Sequence, residues 1–360
     1  MRHLLVLVLS LLCFAPDLRA QEGGGGGGGD RRRGGGWGRR RDRDPSTVVL
    51  TNVTYKRMSY ETDDLTAKTA YYGVYLPPGY DDPANAQKKY PLVVWLHGMS
   101  EDDRDFHFNG AKVLDEQVGA GKLPSLVFVA AAAPSRTLYA NGESEGNVRD
   151  LITKDLLADV QKNFRVSEKR SERAIMGVSL GGNAALRIAF SQPSLFGTVA
   201  VHSAAVFPED LAQLPEQHAG TYARFGDRLG WYSVLGNPID PEKFKAFNPT
   251  SLAHALPELP EAKSLRIYFD AGTSDRYGFG PANQHLDEVL TQAKVPHTFR
   301  LIEGGEHSWG GGTVQQALVE SLAFVGEGFG GAPKSSDASP GGAKPEGVKS
   351  GEAKGEAKKE

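Results

Sequence analysis

Residues 173–191 read RAIMGVSLGGNAALRIAFS. Residues 173–178 form a short apolar run of the kind that fits a buried strand, and 181–191 carry helix formers. The turn between them, Gly177-Val178-Ser179-Leu180-Gly181, matches G-x-S-x-G. On a sharp strand-to-helix turn this pattern holds a serine exposed in a strained conformation. Gly177 and Gly181 let the two backbones approach closely around it. A second stretch, Gly142-Glu143-Ser144-Glu145-Gly146, matches the same expression. No strand precedes Ser144, and it reads as loop. Ser179 is therefore the candidate nucleophile, a merely structural turn being the alternative.

The same rhythm extends on both sides. Residues 48–58 and 70–76 are rich in Val, Thr and Tyr and read as strands, the second ending at the turn Pro77-Pro78-Gly79. Residues 90–96 (YPLVVWL) and 125–131 (SLVFVAA) are continuous apolar runs suited to strands buried on both faces of a parallel sheet. Helices are predicted over 106–118 and 151–164, the latter with Ile152, Leu156 and Val160 on one face. Strands come next at 198–202, 265–270 and 298–302, and helices at 281–293 and 314–324. This alternation predicts an α/β fold, a mainly parallel sheet with helices on both faces. Residues 207–261 break the rhythm with Pro208, Pro215, Pro238, Pro241, Pro249, Pro257 and Pro260 among many aromatics. They read as an irregular helical insertion, a candidate lid.

A serine hydroxyl needs a base to take its proton. When nucleophile, acid and base run in that order along the chain, the candidates downstream of Ser179 are His202, His218, His254, His285, His297 and His307. His307 stands after the last predicted strand in Gly304-Gly305-Glu306-His307-Ser308-Trp309, where open α/β sheets gather their chemistry. His285, within a helix, and His297, just before a strand, read as surface residues. His202 ends a strand beside the nucleophile's helix, near the site or simply packed. The acid that orients the imidazole is Asp275, in the loop after strand 265–270. Asp270, nearer the strand, reads as a brace. Backbone N–H groups of Leu180 and of Met99, in His97-Gly98-Met99-Ser100, are the candidate oxyanion donors. His97 precedes Ser179 and reads as structural. The run Glu101-Asp102-Asp103-Arg104-Asp105 could suggest calcium, but a solvated loop before a helix explains it more simply. No cysteine–histidine cluster has zinc spacing and no phosphate-binding glycine loop is present. The expectation is chemistry without metal or cofactor.

Composition frames the rest. Residues 21–45 hold 11 Gly and 7 Arg against 4 acids, whereas 46–329 carry 26 basic and 34 acidic side chains. An acidic body argues against nucleic acid as a partner. Residues 1–20, with Arg2 and His3 ahead of an apolar run from Leu4 to Ala15, have the shape of a secretory signal. An uncleaved anchor, or a lipid attached at Cys13, are the other readings. The run is shorter than the ~20 residues a membrane helix needs, so no integral span is expected. Cys13 is the only cysteine of the 360 residues, so cleavage would leave none. Residues 21–45 read as a Gly/Arg linker, a spacer or an anionic tether, 46–329 as one folded body, and 330–360 as a disordered tail.

YGVYLPPGY, YPLVVWLHG, GVSLGGNAALRIAFSQPSLFGTVAVHS, FDAGTSD and EGGEHSW, in that order, resemble the putative-esterase family of α/β-hydrolases. That family includes feruloyl and acetylxylan esterases, S-formylglutathione hydrolase and mycolyltransferases. The similarity spans roughly residues 48–325 and is weakest over 207–261. It implies an α/β-hydrolase fold, a triad of Ser179, Asp275 and His307, and a cycle through an acyl-serine intermediate. The expectation is a secreted or periplasmic serine carboxylesterase acting on small-molecule or polysaccharide-linked esters. Acyl transfer to a sugar, and a non-catalytic binding module on a hydrolase fold, are the alternatives. His202-Ser203 departs from the family pattern, where a small polar residue more often comes after the strand.

Overall fold

A computed structural model describes residues 43–134, 137–142, 145–210, 230–307 and 313–330. The signal-like segment 1–20, nearly all of the linker and the tail from 331 lie outside the described residues. Eight strands form one sheet: β1 (Thr54–Glu61), β2 (Thr69–Leu76), β3 (Leu92–Leu96), β4 (Val127–Ala131), β5 (Arg173–Val178), β6 (Thr198–His202), β7 (Arg266–Gly272) and β8 (Thr298–Ile302). Their spatial order is β1-β2-β4-β3-β5-β6-β7-β8. β1 pairs antiparallel with β2 and β2 with β4, and every later pairing is parallel. This is the α/β-hydrolase architecture the sequence predicts.

The apolar runs behave as strands covered on both faces. Along β3, Leu92, Val94 and Leu96 join one core and Val93 and Trp95 the other. β4 and β5 alternate in the same way, as strand geometry requires. The first core is closed by α4 (Leu156–Asn163), α5 (Leu180–Ser191) and α9 (Phe279–Gln292). The second is closed by α2 (Ala111–Gly119) and α10 (Thr313–Gly328). Trp95 is fully buried, its ring 5.0 Å from Phe106; burying a side chain of this kind stabilises by about 1.5–3 kcal/mol.

Several boundaries differ from the sequence reading. The strand expected from 48 starts only at Thr54, because the amides of Thr51, Asn52 and Val53 donate to the Asp115 carboxylate instead of to a neighbouring strand. The helix expected over 106–118 is two: α1 (Asp103–Asn109) and α2 meet at Gly110. A Cβ there would stand 2.6 Å from the Phe106 ring. The helix expected over 151–164 starts earlier, as a single turn α3 (Val148–Asp150), and passes through a π turn at Leu151–Asp155 into α4. Within the insertion, residues 211–229 lie outside the described residues. From Trp231 the insertion is built of short helices, α6 (Trp231–Leu235), α7 (Pro241–Phe247) and α8 (Pro249–Ala253). Asp240 and Asn248 cap α7 and α8, each just ahead of a proline at the first helical position. Among the described residues no helix is long and apolar enough to cross a membrane.

Candidate active site

Ser179 stands between β5 and α5 with φ 57° and ψ −118°. That left-handed backbone is costly for a residue with a side chain and persists only where the surroundings enforce it. Here they do. The Ser179 amide donates to the His202 carbonyl (3.0 Å), and the Ser179 carbonyl accepts from Ala205 (2.9 Å) and Asn183 (3.0 Å). The turn is tight because its glycines allow it: a Cβ on Gly177 would lie 2.5 Å from the Gly181 carbonyl oxygen. The rival Ser144 lies outside the described residues.

His307 Nε2 is 2.9 Å from Ser179 Oγ and its Nδ1 is 2.8 Å from Asp275 Oδ2. The structure thus brings together the three side chains picked out from sequence, from three separate strand ends. Asp275 is held by its own loop, since its Oδ1 accepts the Tyr277 amide at 2.8 Å. The acid loop and the histidine loop are tied to each other. Thr273 N–H donates to the Ile302 carbonyl (3.0 Å), Ser274 N–H to that of Gly305 (2.9 Å), and Gly304 N–H to Thr273 Oγ1 (2.8 Å). The Tyr277 ring meets the imidazole edge-on at 4.6 Å and Phe279 packs at 5.4 Å. These aromatics restrict the ring while leaving Nε2 facing the serine.

The loop after β3 passes directly beside Ser179. A Cβ on Gly98 would be 3.4 Å from Ser179 Cβ. The Gly98 amide donates to Glu101 Oε2 (2.8 Å), closing a turn in which Ser100 has φ 60°. Met99 packs with Leu180, Leu138, Ala205, Phe207, Trp231 and Phe279 in one apolar cluster. Leu180 opens α5, so its amide has no acceptor within the helix and lies at the N-terminal, positive end of the dipole. His97 behaves as the structural residue expected: Nδ1 pairs with the Gly98 carbonyl (2.7 Å) and Nε2 accepts the Ala133 amide (3.1 Å). The Tyr139 hydroxyl donates to the His97 carbonyl at 3.0 Å. Burial, reinforced by the Glu101 charge, pushes that phenol well above its ordinary pKa, so it remains a donor.

The acidic run at 101–105 is consumed by protein donors. Asp102 caps α1 and pairs with Arg104; burial works to raise its pKa, but the Arg104 guanidinium and amide hold it below the usual carboxylate range. Asp103 is buried against Arg57 at 2.7 Å. Among the described residues no group of three histidine, cysteine or acidic side chains could hold a metal. His297 is not a surface residue as expected: its ring is wedged between Asp287 (2.8 Å) and the Val295 carbonyl (2.8 Å). His285 is exposed, as expected, and lies near Glu209 and Glu288. His202 and Asp270 pair with each other at 2.7 Å, wholly buried, and the imidazole also meets a partner the sequence does not single out, Ser321.

A family model described as Putative esterase matches residues 68–324. An uncharacterised protein of Corynebacterium glutamicum is 28% identical over 264 residues, covering 69% of this chain and 56% of that protein. The S-formylglutathione hydrolase of Bos taurus is 25% identical over 277 residues, covering 69% of this chain and 86% of the bovine one. Among solved structures, a ferulic acid esterase superposes with a TM-score of 0.61 at 23% identity, over 77% of this chain and 98% of that one, a likeness of fold. The chain spans about half the length of curated relatives such as the Corynebacterium protein. With the family model covering the sheet from β2 to within α10, and the strained serine and its two partners inside that span, the chain belongs to the Putative esterase family.

Proposed function

We propose that the protein is a serine carboxylesterase with Ser179 as nucleophile, His307 as general base and Asp275 as the residue that orients it. The observation that carries this reading is the unbroken hydrogen-bonded line from Asp275 Oδ2 through His307 to Ser179 Oγ, at 2.8 and 2.9 Å. Ser179 Oγ attacks the ester carbonyl while His307 Nε2 takes its proton; Asp275 holds Nδ1–H in place and stabilises the imidazolium. The oxyanion is met by the amides of Leu180 and Met99. His307 then protonates the departing alcohol, and water, deprotonated by the same imidazole, releases the acid from the acyl-serine. The apolar cluster around Leu180, Phe207 and Phe279 favours an acyl group with an apolar or aromatic portion.

The finer reading is an enzyme exported by the segment 1–20 and acting on esters that decorate polysaccharides. The leader-like composition supports export, and the similarity to a protein described as an endo-1,4-beta-xylanase/feruloyl esterase supports the substrate class. Turnover of p-nitrophenyl acetate by the full chain, with and without Ser179→Ala, tests the chemistry. Loss of turnover in the alanine variant is expected. Equal turnover in both would leave a binding module on a hydrolase fold. Methyl ferulate, acetylated xylan and longer acyl esters then sort the substrate, and product analysis with added sugar separates hydrolysis from acyl transfer.

A further inference from the structure

Behind the active site lies a second serine–histidine–aspartate array. His202 Nδ1 donates to Asp270 Oδ2 at 2.7 Å, and Nε2 pairs with Ser321 Oγ at 2.9 Å. Ser321 Oγ also lies 3.1 Å from the Leu318 carbonyl. His202 and Ser321 are completely inaccessible and Asp270 is 1% exposed, so no substrate reaches them. Trp95 and Tyr268 flank the imidazole at 6.0 and 6.3 Å. Taking an imidazole and a carboxylate out of water is expensive, and apolar residues of the same volume often serve stability as well or better. What such a network can supply is a fixed geometry.

The array is hydrogen-bonded to the turn that carries Ser179. β6 ends at His202, and the His202 carbonyl is the acceptor for the Ser179 amide. The next residue, Ser203, has φ 42°, a second left-handed non-glycine position. Its amide donates to the Asp270 carbonyl at 2.9 Å. Two residues further on, the Ala205 amide donates back to the Ser179 carbonyl. Ser179 and Ser203, both at positive φ, are thus linked through the backbone of a bend whose side-chain anchor is the His202–Asp270 pair. The array also joins the elements that carry the rest of the site. Asp270 lies on β7, five residues before Asp275, and Ser321 lies on α10, which starts six residues after His307.

We propose that His202, with Asp270 and Ser321, is a positioning network that holds the His202 carbonyl against the Ser179 amide and so sets the serine hydroxyl at its distance from His307. The proposal rests on the esterase reading above. Losing the anchor lets the bend relax and moves Oγ by a fraction of an ångström, which lowers the rate of attack without altering the surface that binds substrate.

The test compares the full-length protein with His202→Leu, His202→Asn and Ser321→Ala. Each is measured for kcat and KM on a p-nitrophenyl ester, with reactive sites counted by fluorophosphonate titration so that unfolded molecules drop out. The expected result for His202→Leu is a kcat per site about 10- to 100-fold lower, with KM within about twofold of the parent. His202→Asn, whose amide can still donate to Asp270, recovers part of that loss. Ser321→Ala loses severalfold. A normal kcat per site in folded His202→Leu overturns the proposal. Where His202→Leu does not fold, a normal kcat per site in Ser321→Ala overturns it. Parent-like turnover in Ser179→Ala would instead overturn the esterase reading, and this proposal with it.

Discussion

Gly181 lies against the carbonyl of Leu96, so close that a Cβ on the glycine would stand 2.1 Å from that oxygen. Backbone atoms cannot step aside as a side-chain tip can. The close approach of α5 to the end of β3 places the segments that carry Leu180 and Met99, the proposed oxyanion donors, next to each other. Gly181→Ala is expected to cost at least about 1–3 kcal/mol of stability and most of the activity. Urea denaturation monitored by fluorescence checks the first, ester turnover the second. A fully stable, active alanine variant would show that the contact is looser than described.

Asp115 is a buried acceptor for the backbone just ahead of β1. Its Oδ1 takes the amides of Thr51 (3.0 Å), Asn52 (2.6 Å) and Val53 (3.0 Å). Burial works to raise its pKa, and the donors around it, led by the Asn52 and Val53 amides, outweigh that and hold it below the ordinary value. A depressed folded-state pKa gives stability that is complete above the unfolded value of about 3.9 and lost as the pH falls below it. Asp115→Asn is therefore expected to cost about 2–4 kcal/mol at neutral pH and to lose less on acidification than the parent. Stability measured from pH 7 down to pH 2 checks the sign; parallel curves for the two proteins would refute it.

Arg187 is buried within α5, and burial pulls its guanidinium down to about 9. It donates to the carbonyls of Leu138 (2.6 Å) and Tyr139 (2.9 Å) and lies over the Phe247 ring. Leu138 and Tyr139 both have left-handed backbones, φ 50° and 53°. Tyr139 in turn reaches the His97 carbonyl, one residue before Gly98. Arg187→Met keeps the stem and removes the donors. It should lower the melting temperature and cut kcat/KM about tenfold by loosening the loop that carries Met99, the proposed oxyanion donor. A melting-temperature loss with unchanged kcat/KM would confine Arg187 to stability.

How much of the molecule is legible in its sequence depends on the range of the interaction. The α/β alternation and the choice of Ser179 over Ser144 rest on local signals, a strand running into a glycine turn and a helix. His307 and Asp275 are accessible because each sits in a polar loop at a predicted strand's end. The boundaries at 48 and 106–118 differ because distant or packed partners decide them: Asp115 claims the backbone of Thr51–Val53, and the Phe106 ring fills the space beside Gly110. Ser321 gives no signal at all. It lies 119 residues from His202 in a helix with an apolar face, and only folding places its hydroxyl on the imidazole. His297 differs from the surface reading because its ring is taken up by a nearby partner, Asp287 on α9, which the sequence pattern does not single out.

The most direct test of the central claim is where a fluorophosphonate attaches. Intact-mass and peptide analysis of the labelled full-length protein should find one adduct, on the peptide containing Ser179, and the His307→Ala variant should label far more slowly. An adduct on Ser144, or equal labelling rates with and without the imidazole, would contradict the account.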